Sequence, residues 1–221
     1  RPANIVIVAK SGGDFTAIGA ALASITTNSA TDRYLIYVAP GTYTETVTMK
    51  QYVDIEGAGE LMTKITFGGS SSEFVGTVLG ASNAEIRFLT VENTGGDLNA
   101  TAVFNSSASP WLTHVTVTAF GGTNKNKGVS NVALSWPKLT DVNAGGIGGA
   151  ESMGVQTVGS SATIANSTIS ASGGTSNIGL NNFGATGAHT VTVNNSMVAG
   201  STSTVSNNTG FTTRVTGSQL S

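Results

Sequence analysis

His114 and Asp141 are the residues of this chain best suited to proton transfer. An imidazole titrates near neutrality, and a carboxylate within hydrogen-bond reach fixes its tautomer and orientation. With Ser109 or Thr113 beside them they would form a nucleophilic set, the hydroxyl attacking and the imidazole taking its proton. A solvated surface ion pair accounts for the same two residues, because no motif fixes a nucleophile or an oxyanion donor. Trp111, Glu85 and Lys138 offer a different chemistry, an indole face stacked on a sugar ring with a carboxylate and an ammonium bonding to its hydroxyls. Trp111 follows Pro110 and Trp136 precedes Pro137, so packed turns explain the tryptophans as well as a sugar platform does. The twelve acidic residues all lie at or before Glu151. Among them Asp54, Glu56, Glu85, Glu92 and Asp141 lack the dense spacing of a cation site, and calcium-binding nonapeptide repeats are missing. No metal and no other cofactor is expected. The absence of cysteine removes disulfides, thiolate metal sites and cysteine nucleophiles together.

Strands must position these residues. The chain has 221 residues, of which 32 are Thr, 25 Ser, 18 Asn and 29 Gly. Only 10% is charged while 39% is hydrophobic, and mean hydropathy is +0.12, which excludes charge-driven disorder. A net charge of −2 and a pI near 5.6 give no basis for nucleic acid or an anionic membrane as partner. No apolar run is long enough to span a bilayer. Arg1 leads directly into Asn4-Ile5-Val6-Ile7-Val8 without the regions of a signal peptide, so the chain reads as a processed or excised segment.

One helix is predicted near residues 15–27. Asp14 stands at its N-cap, with Phe15, Ile18, Leu22 and Ile25 at helical spacing. From Arg33 onward the pattern turns to period two, with short strands near 34–38, 46–49, 53–56, 64–67, 75–79 and 86–92 divided by Gly, Ser, Asn or Pro40-Gly41. Ile86, Leu112, Leu139 and Ile164 then recur at nearly equal intervals, a lap of about 26 residues, and Val103, Val129 and Val155 keep the same lap. Weaker copies follow at 191–198, Val205 and Val215. A lap of that length is too short for a propeller blade and lacks the Leu/Asn signature of leucine-rich repeats. A β-sandwich would show hairpin turns without this register. The spacing predicts an all-β fold, a right-handed parallel β-helix forming a single domain over 1–221. Segment 1–32 supplies a strand and a capping α-helix, and segment 33–221 forms the coils.

In that register Glu85, Trp111 and Lys138 share one outward column, while Phe88, His114 and Asp141 share another, with His114 and Asp141 one coil spacing apart. Thr116-Val117-Thr118, Thr46-Val47-Thr48 and Thr190-Val191-Thr192 suggest an ice-matching face. However, the positions stacked on Thr116 and Thr118 are Thr90/Glu92, Asn143/Gly145 and Thr168/Ser170, so a charge and a glycine interrupt it.

The amino-terminal third resembles the pectin-lyase-like right-handed β-helix superfamily, and most closely its pectin methylesterase branch. Ser11-Gly12-Gly13-Asp14-Phe15 with Ile18 and Ala21 carries the likeness, followed by 34–43 (Tyr-Leu-Ile-Tyr-Val-Ala-Pro-Gly-Thr-Tyr) with Glu45, and then by 53–59 (Val-Asp-Ile-Glu-Gly-Ala-Gly). The likeness implies the cap and first coils of such a helix. It does not extend to the esterase's catalytic motifs. Gln51, Gln156 and Gln219 precede no Asp, the sole Asp-Phe is Asp14-Phe15, and Arg33, Arg87 and Arg214 lack a following Pro-Trp.

The sequence therefore predicts a non-catalytic extracellular or cell-surface scaffold or fibre segment, part of a longer adhesin or tailspike-like protein. The alternative is a secreted carbohydrate-active enzyme or glycan-binding module related to pectin esterases and lyases, with polysaccharide as partner. Residues 214–221 still read as a coil strand. A solenoid end of that kind is expected to be covered by further chain, a further domain or a second copy in a homo-oligomer.

Overall fold

The computed structural model describes residues 4–184 and 187–221; Arg1 and its bearing on processing lie outside them. The chain winds into about eight turns of a right-handed parallel β-helix with one short helix. Each full turn contributes a strand segment to three faces. The first face runs through Asn4–Val8, Tyr34–Val38, Val53–Gly57, the starts of Glu85–Asn93, Trp111–Phe120 and Lys138–Ile147, then Ala162–Ala165, His189–Asn194 and Phe211–Thr216. The second takes Gly41–Thr44 and Thr63–Phe67, the ends of the three long strands, then Thr168–Ser172, Met197–Gly200 and Gln219–Leu220. The third is a separate seven-stranded sheet from Val47–Thr48 to Ser203–Asn207. All these pairings are parallel, so each coil satisfies its backbone on the coils above and below.

Inward residues stack into columns. Val6, Ile36, Ile55, Ile86, Leu112, Leu139, Ile164, Val193 and Val215 are successive register partners on the first face. Val47, Val78, Val103, Val129, Val155, Leu180 and Val205 do the same on the third. Ile86, Leu112, Leu139 and Ile164 are all fully buried, as the lap spacing requires. β-branched and Leu side chains fill such columns because each stands over a like neighbour about 4.8 Å away.

Corners set the cross-section. Phe88, His114, Asp141, Asn166 and Asn195 all have φ between 51° and 55°, left-handed backbone between the first and second faces. That residue turns the chain so that Leu112 and Val115, on either side of it, both point inward. The inward Asn column of the third face bonds along its own axis. Asn105 Nδ2 donates to Asn131 Oδ1 at 2.8 Å, and Asn182 Nδ2 donates to Asn207 Oδ1 at 2.8 Å.

The cap differs from expectation in its ends. The helix spans Ile18–Ser24, shorter than 15–27, and its N-cap is Ala17 with no side-chain bond. Asp14 does not cap it; its carboxylate accepts the Ile7 N–H at 2.8 Å instead. The first helical N–H groups donate to Glu45, Ile18 N at 2.9 Å and Gly19 N at 2.8 Å. The last carbonyls accept from Lys50 Nζ, at 3.3 Å for Leu22 and 2.5 Å for Ile25. A carboxylate at the positive end and an ammonium at the negative end complement the helix dipole. Both come from the following coil, out of reach of any local sequence signal.

Candidate functional site

The outward side of the first face carries the charged cluster. Leu35, Asp54, Glu85, Trp111, Lys138, Thr163, Thr192 and Arg214 succeed one another in register, so Glu85, Trp111 and Lys138 do form one column. The neighbouring column on the same strands is Tyr37, Glu56, Arg87, Thr113 and Thr140. Alternation along a strand places both columns on the same side.

At the amino end of this face lies an open cleft of about 570 Å³ lined by Thr31, Asp32, Arg33, Asp54, Asn83, Glu85, Arg87 and Trp111. Its floor is an ion-pair network. Arg33 Nη2 lies 3.0 Å from Asp54 Oδ1 and donates to the Asn83 carbonyl at 3.1 Å. Asp54 Oδ1 also accepts the Glu85 N–H at 2.9 Å. Arg87 bonds Glu56 through Nε at 2.8 Å and Nη2 at 2.7 Å, and Glu85 through Nη1 at 2.5 Å. Burial pulls the Arg87 guanidinium down, but the bonds and charges of Glu56 and Glu85 outweigh it and hold the group above its ordinary value. Asp32 accepts from Asn4 Nδ2 at 2.6 Å and from Thr27 Oγ1 at 3.1 Å. Every carboxylate of the cleft is engaged.

Trp111 forms the rim with 53% of its surface exposed, and Lys138 Nζ sits 5.1 Å from its ring centroid. One coil further, Trp136 is 64% exposed. It walls a second hollow of about 340 Å³ with Pro137, Lys138, Thr163, Thr190 and Thr192. The two hollows follow one another along the solenoid axis. Neither tryptophan is a packed corner.

His114 and Asp141 are neighbours, with Nε2 and Oδ2 3.8 Å apart and side chains 47% and 37% exposed. They stand in the left-handed corner column, where the Phe88 ring lies 5.0 Å from the imidazole. Ser109 cannot complete a nucleophilic set. It lies beyond the far end of the 111–113 segment, roughly 16 Å of extended chain from His114, and its Oγ accepts the Trp136 N–H at 2.9 Å. The threonine array has the expected register, Thr116 opposite Thr90 and Asn143, Thr118 opposite Glu92 and Gly145. Thr116 Oγ1 donates to Glu60 Oε2 at 2.5 Å, so residues 58–62 also cross that face.

Arg33, Asp54 and Arg87, with Glu56 as a partner of Arg87, are what the sequence did not bring together. Ile55 and Ile86 are register partners across a lap longer than those that follow, because residues 58–62 and a strap at 68–77 lengthen it. The alternation in Val53-Asp54-Ile55-Glu56 and Glu85-Ile86-Arg87 was the available signal. The strap covers the third face. Glu73 bonds Lys125 Nζ at 2.9 and 3.0 Å and approaches Lys127 Nζ at 3.6 Å, and Lys127 is 1% exposed. Burial holds the Lys127 ammonium below its ordinary value despite Glu73, whereas the two lysines bring the Glu73 carboxyl below its own despite burial. Among the described residues no three His, Asp or Glu side chains converge as a metal site needs.

No family model and no curated protein matches the sequence. Solved structures do match in fold. Pectin methylesterase PemA from Erwinia chrysanthemi aligns with a TM-score of 0.58 at 15% identity, over 90% of this chain and 66% of that one. The pectin methylesterase of Aspergillus niger gives 0.57 at 20% identity, over 100% of this chain and 86% of that one. The catalytic domain of a GH87 alpha-1,3-glucanase in complex with nigerose gives 0.58 at 16%, over 99% of this chain and 45% of that one. At these identities the likeness carries the fold alone, the parallel β-helix expected from the lap spacing. Among the described residues no helix is long and apolar enough to cross a membrane.

Proposed function

We propose that the protein holds an extended polysaccharide along its first face, in an extracellular setting, without cleaving it. The observation that carries this reading is the half-exposed Trp111 at the rim of the charged cleft, in line with the hollow beneath Trp136. A large flat apolar ring left in water beside fixed polar groups is what a pyranose needs, one face for its C–H surface and donors and acceptors for its hydroxyls. From Asp54 to Thr192 the column crosses six coils, a track of roughly 24 Å at about 4.8 Å per coil. The fold neighbours act on polysaccharides, which supports carbohydrate chemistry and gives no support to a purely structural scaffold. Binding is favoured over turnover because glycosidic hydrolysis needs a carboxyl free to give its proton and a second free to act as base or nucleophile. Here Asp54, Glu56 and Glu85 are all committed to arginines or backbone.

A glycan array followed by titration calorimetry tests the reading. The expected result is saturable binding that falls at least ~10-fold in Trp111→Ala, in line with loss of an aromatic anchor, with no reducing ends, methanol or unsaturated product released. Binding indifferent to both Trp111→Ala and Trp136→Ala, or steady turnover, would overturn it.

A further inference from the structure

We propose that the first-face cleft selects neutral, hydroxyl-rich glycans and rejects polyuronates; the inference rests on the glycan-binding reading above. The cleft is lined by three carboxylates, Asp32, Asp54 and Glu85, and two guanidinium groups, Arg33 and Arg87, the latter also paired with Glu56. Arg87 already spends three of its five N–H donors on carboxylates, Nε and Nη2 on Glu56 and Nη1 on Glu85. Arg33 commits Nη2 to Asp54 and the Asn83 carbonyl. A sugar carboxylate that drew either arginine off its partner would strand an acidic group of low exposure, since the side chains of Asp54, Glu85 and Glu56 are 11%, 19% and 29% exposed. It would also sit beside that partner as a like charge.

The rest of the face gives a polyanion no better path. A polyuronate carries a carboxylate on every sugar, so a complementary track needs basic groups repeated from coil to coil. In neither outward column do two cations occupy successive coils. Lys138 is followed by Thr163 and Thr192 before Arg214, and Arg87 by Thr113 and Thr140. Lys138 itself lies over the Trp111 ring. What the face does repeat is hydroxyl groups beside exposed indole, and the fixed ion pairs can share donors and acceptors with sugar hydroxyls without giving up their partners.

The test compares one polymer in two charge states: polygalacturonate oligomers, and the same oligomers after carboxyl reduction to neutral galactan, with neutral glucan oligomers alongside. Binding to the full chain is followed by tryptophan fluorescence at low and moderate salt. The expected result is that reduced or glucan oligomers bind at least ~10-fold more tightly than the acid. Added salt should improve the acid's binding by screening the repulsion. Glu85→Gln, and independently Asp54→Asn, should lower the neutral-to-acid affinity ratio by about 5- to 10-fold, whatever each does to neutral binding itself. Two variants guard against one failing to fold. Acid oligomers binding as tightly as neutral ones through Trp111 would overturn the selectivity while leaving the glycan reading intact. Absence of binding to every oligomer and to an array of other glycans would overturn both.

Discussion

Side chains rarely accept left-handed backbone, which costs a residue with a Cβ about 1–2 kcal/mol, yet five of them stack in that conformation at the first corner. Asn166 and Asn195 suit it, and Asn195 Nδ2 donates to Asn166 Oδ1 at 3.4 Å. His114 and Asp141 occupy the same column, so the corner accounts for the presence of short or planar polar side chains there without any catalytic demand. Their proximity was legible from the lap length, because register alone brings positions one lap apart into contact. Their conformation was not, since nothing in the sequence distinguishes a corner from a continuing strand when Phe88 can also occupy it. Asp141→Asn tests the two roles. The exposed pair at 3.8 Å contributes under about 1 kcal/mol, and asparagine is more at ease with positive φ. The variant should therefore stay within about 0.5 kcal/mol of the parent in urea unfolding and keep its glycan affinity. Loss of a measurable activity would reinstate the dyad.

Single elements are held by charges from elsewhere in the chain, which is why their existence was easier to read than their limits. The cap helix was visible in the spacing of Ile18, Leu22 and Ile25, but Glu45 and Lys50 fix its ends. The sequence places a strand at 75–79, but the strand begins only at Val78, and residues 68–77 form a strap in which Ser70 pairs with Asn99 as an antiparallel bridge and Phe74 meets Phe104 edge to face at 6.4 Å. Its Glu73 carboxyl is held below the usual carboxylate value of 4.5. That stabilisation is fully present above the unfolded value and is lost as pH falls through the folded one. Lys127 is depressed as well, so its buried charge opposes folding at neutral pH and is relieved only as pH rises toward 10.5. Glu73→Gln leaves that ammonium without its counter-charge. With Glu73 35% exposed, the expected loss is about 1–2 kcal/mol at pH 7, below the value for a fully buried pair. Hydrogen exchange at the Ser70 and Asn99 amides should report it, and the parent's loss of protection below about pH 4.5 should vanish in the variant. Gly154 marks a close approach between faces. A Cβ there would meet Ile169 Cγ2 at 2.5 Å and the Gly179 carbonyl at 2.9 Å, so Gly154→Ala should cost about 2–3 kcal/mol in the same unfolding assay.

At the scale of the molecule, the laps from residue 86 to residue 164 were legible because those coils have nearly the same length, whereas the laps before and after them differ in length. Tyr34 pairs with Val53 across a short lap and Ile55 with Ile86 across a long one, so a periodicity search alone misses the coils that build the cleft. Chemistry was less legible than architecture for the same reason: the groups that meet at Arg87 come from strands of unequal separation. A solenoid also distributes its stability by position, since each coil touches only its neighbours. Leu112 is fully buried between Ile86 and Leu139. Val215, in the same column, is 39% exposed. Leu112→Ala should cost about 3–4 kcal/mol, counting both lost transfer and the cavity between two closely stacked coils. Val215→Ala should cost under about 1 kcal/mol. Guanidinium unfolding of the two variants measures the contrast, with the slope of the transition unchanged if the solenoid still unfolds as a unit. Equal and small losses would mean that the Ile86, Leu112 and Leu139 column does not carry the core, and the alignment of Trp111 with Glu85 and Lys138 that rests on it would lose its support.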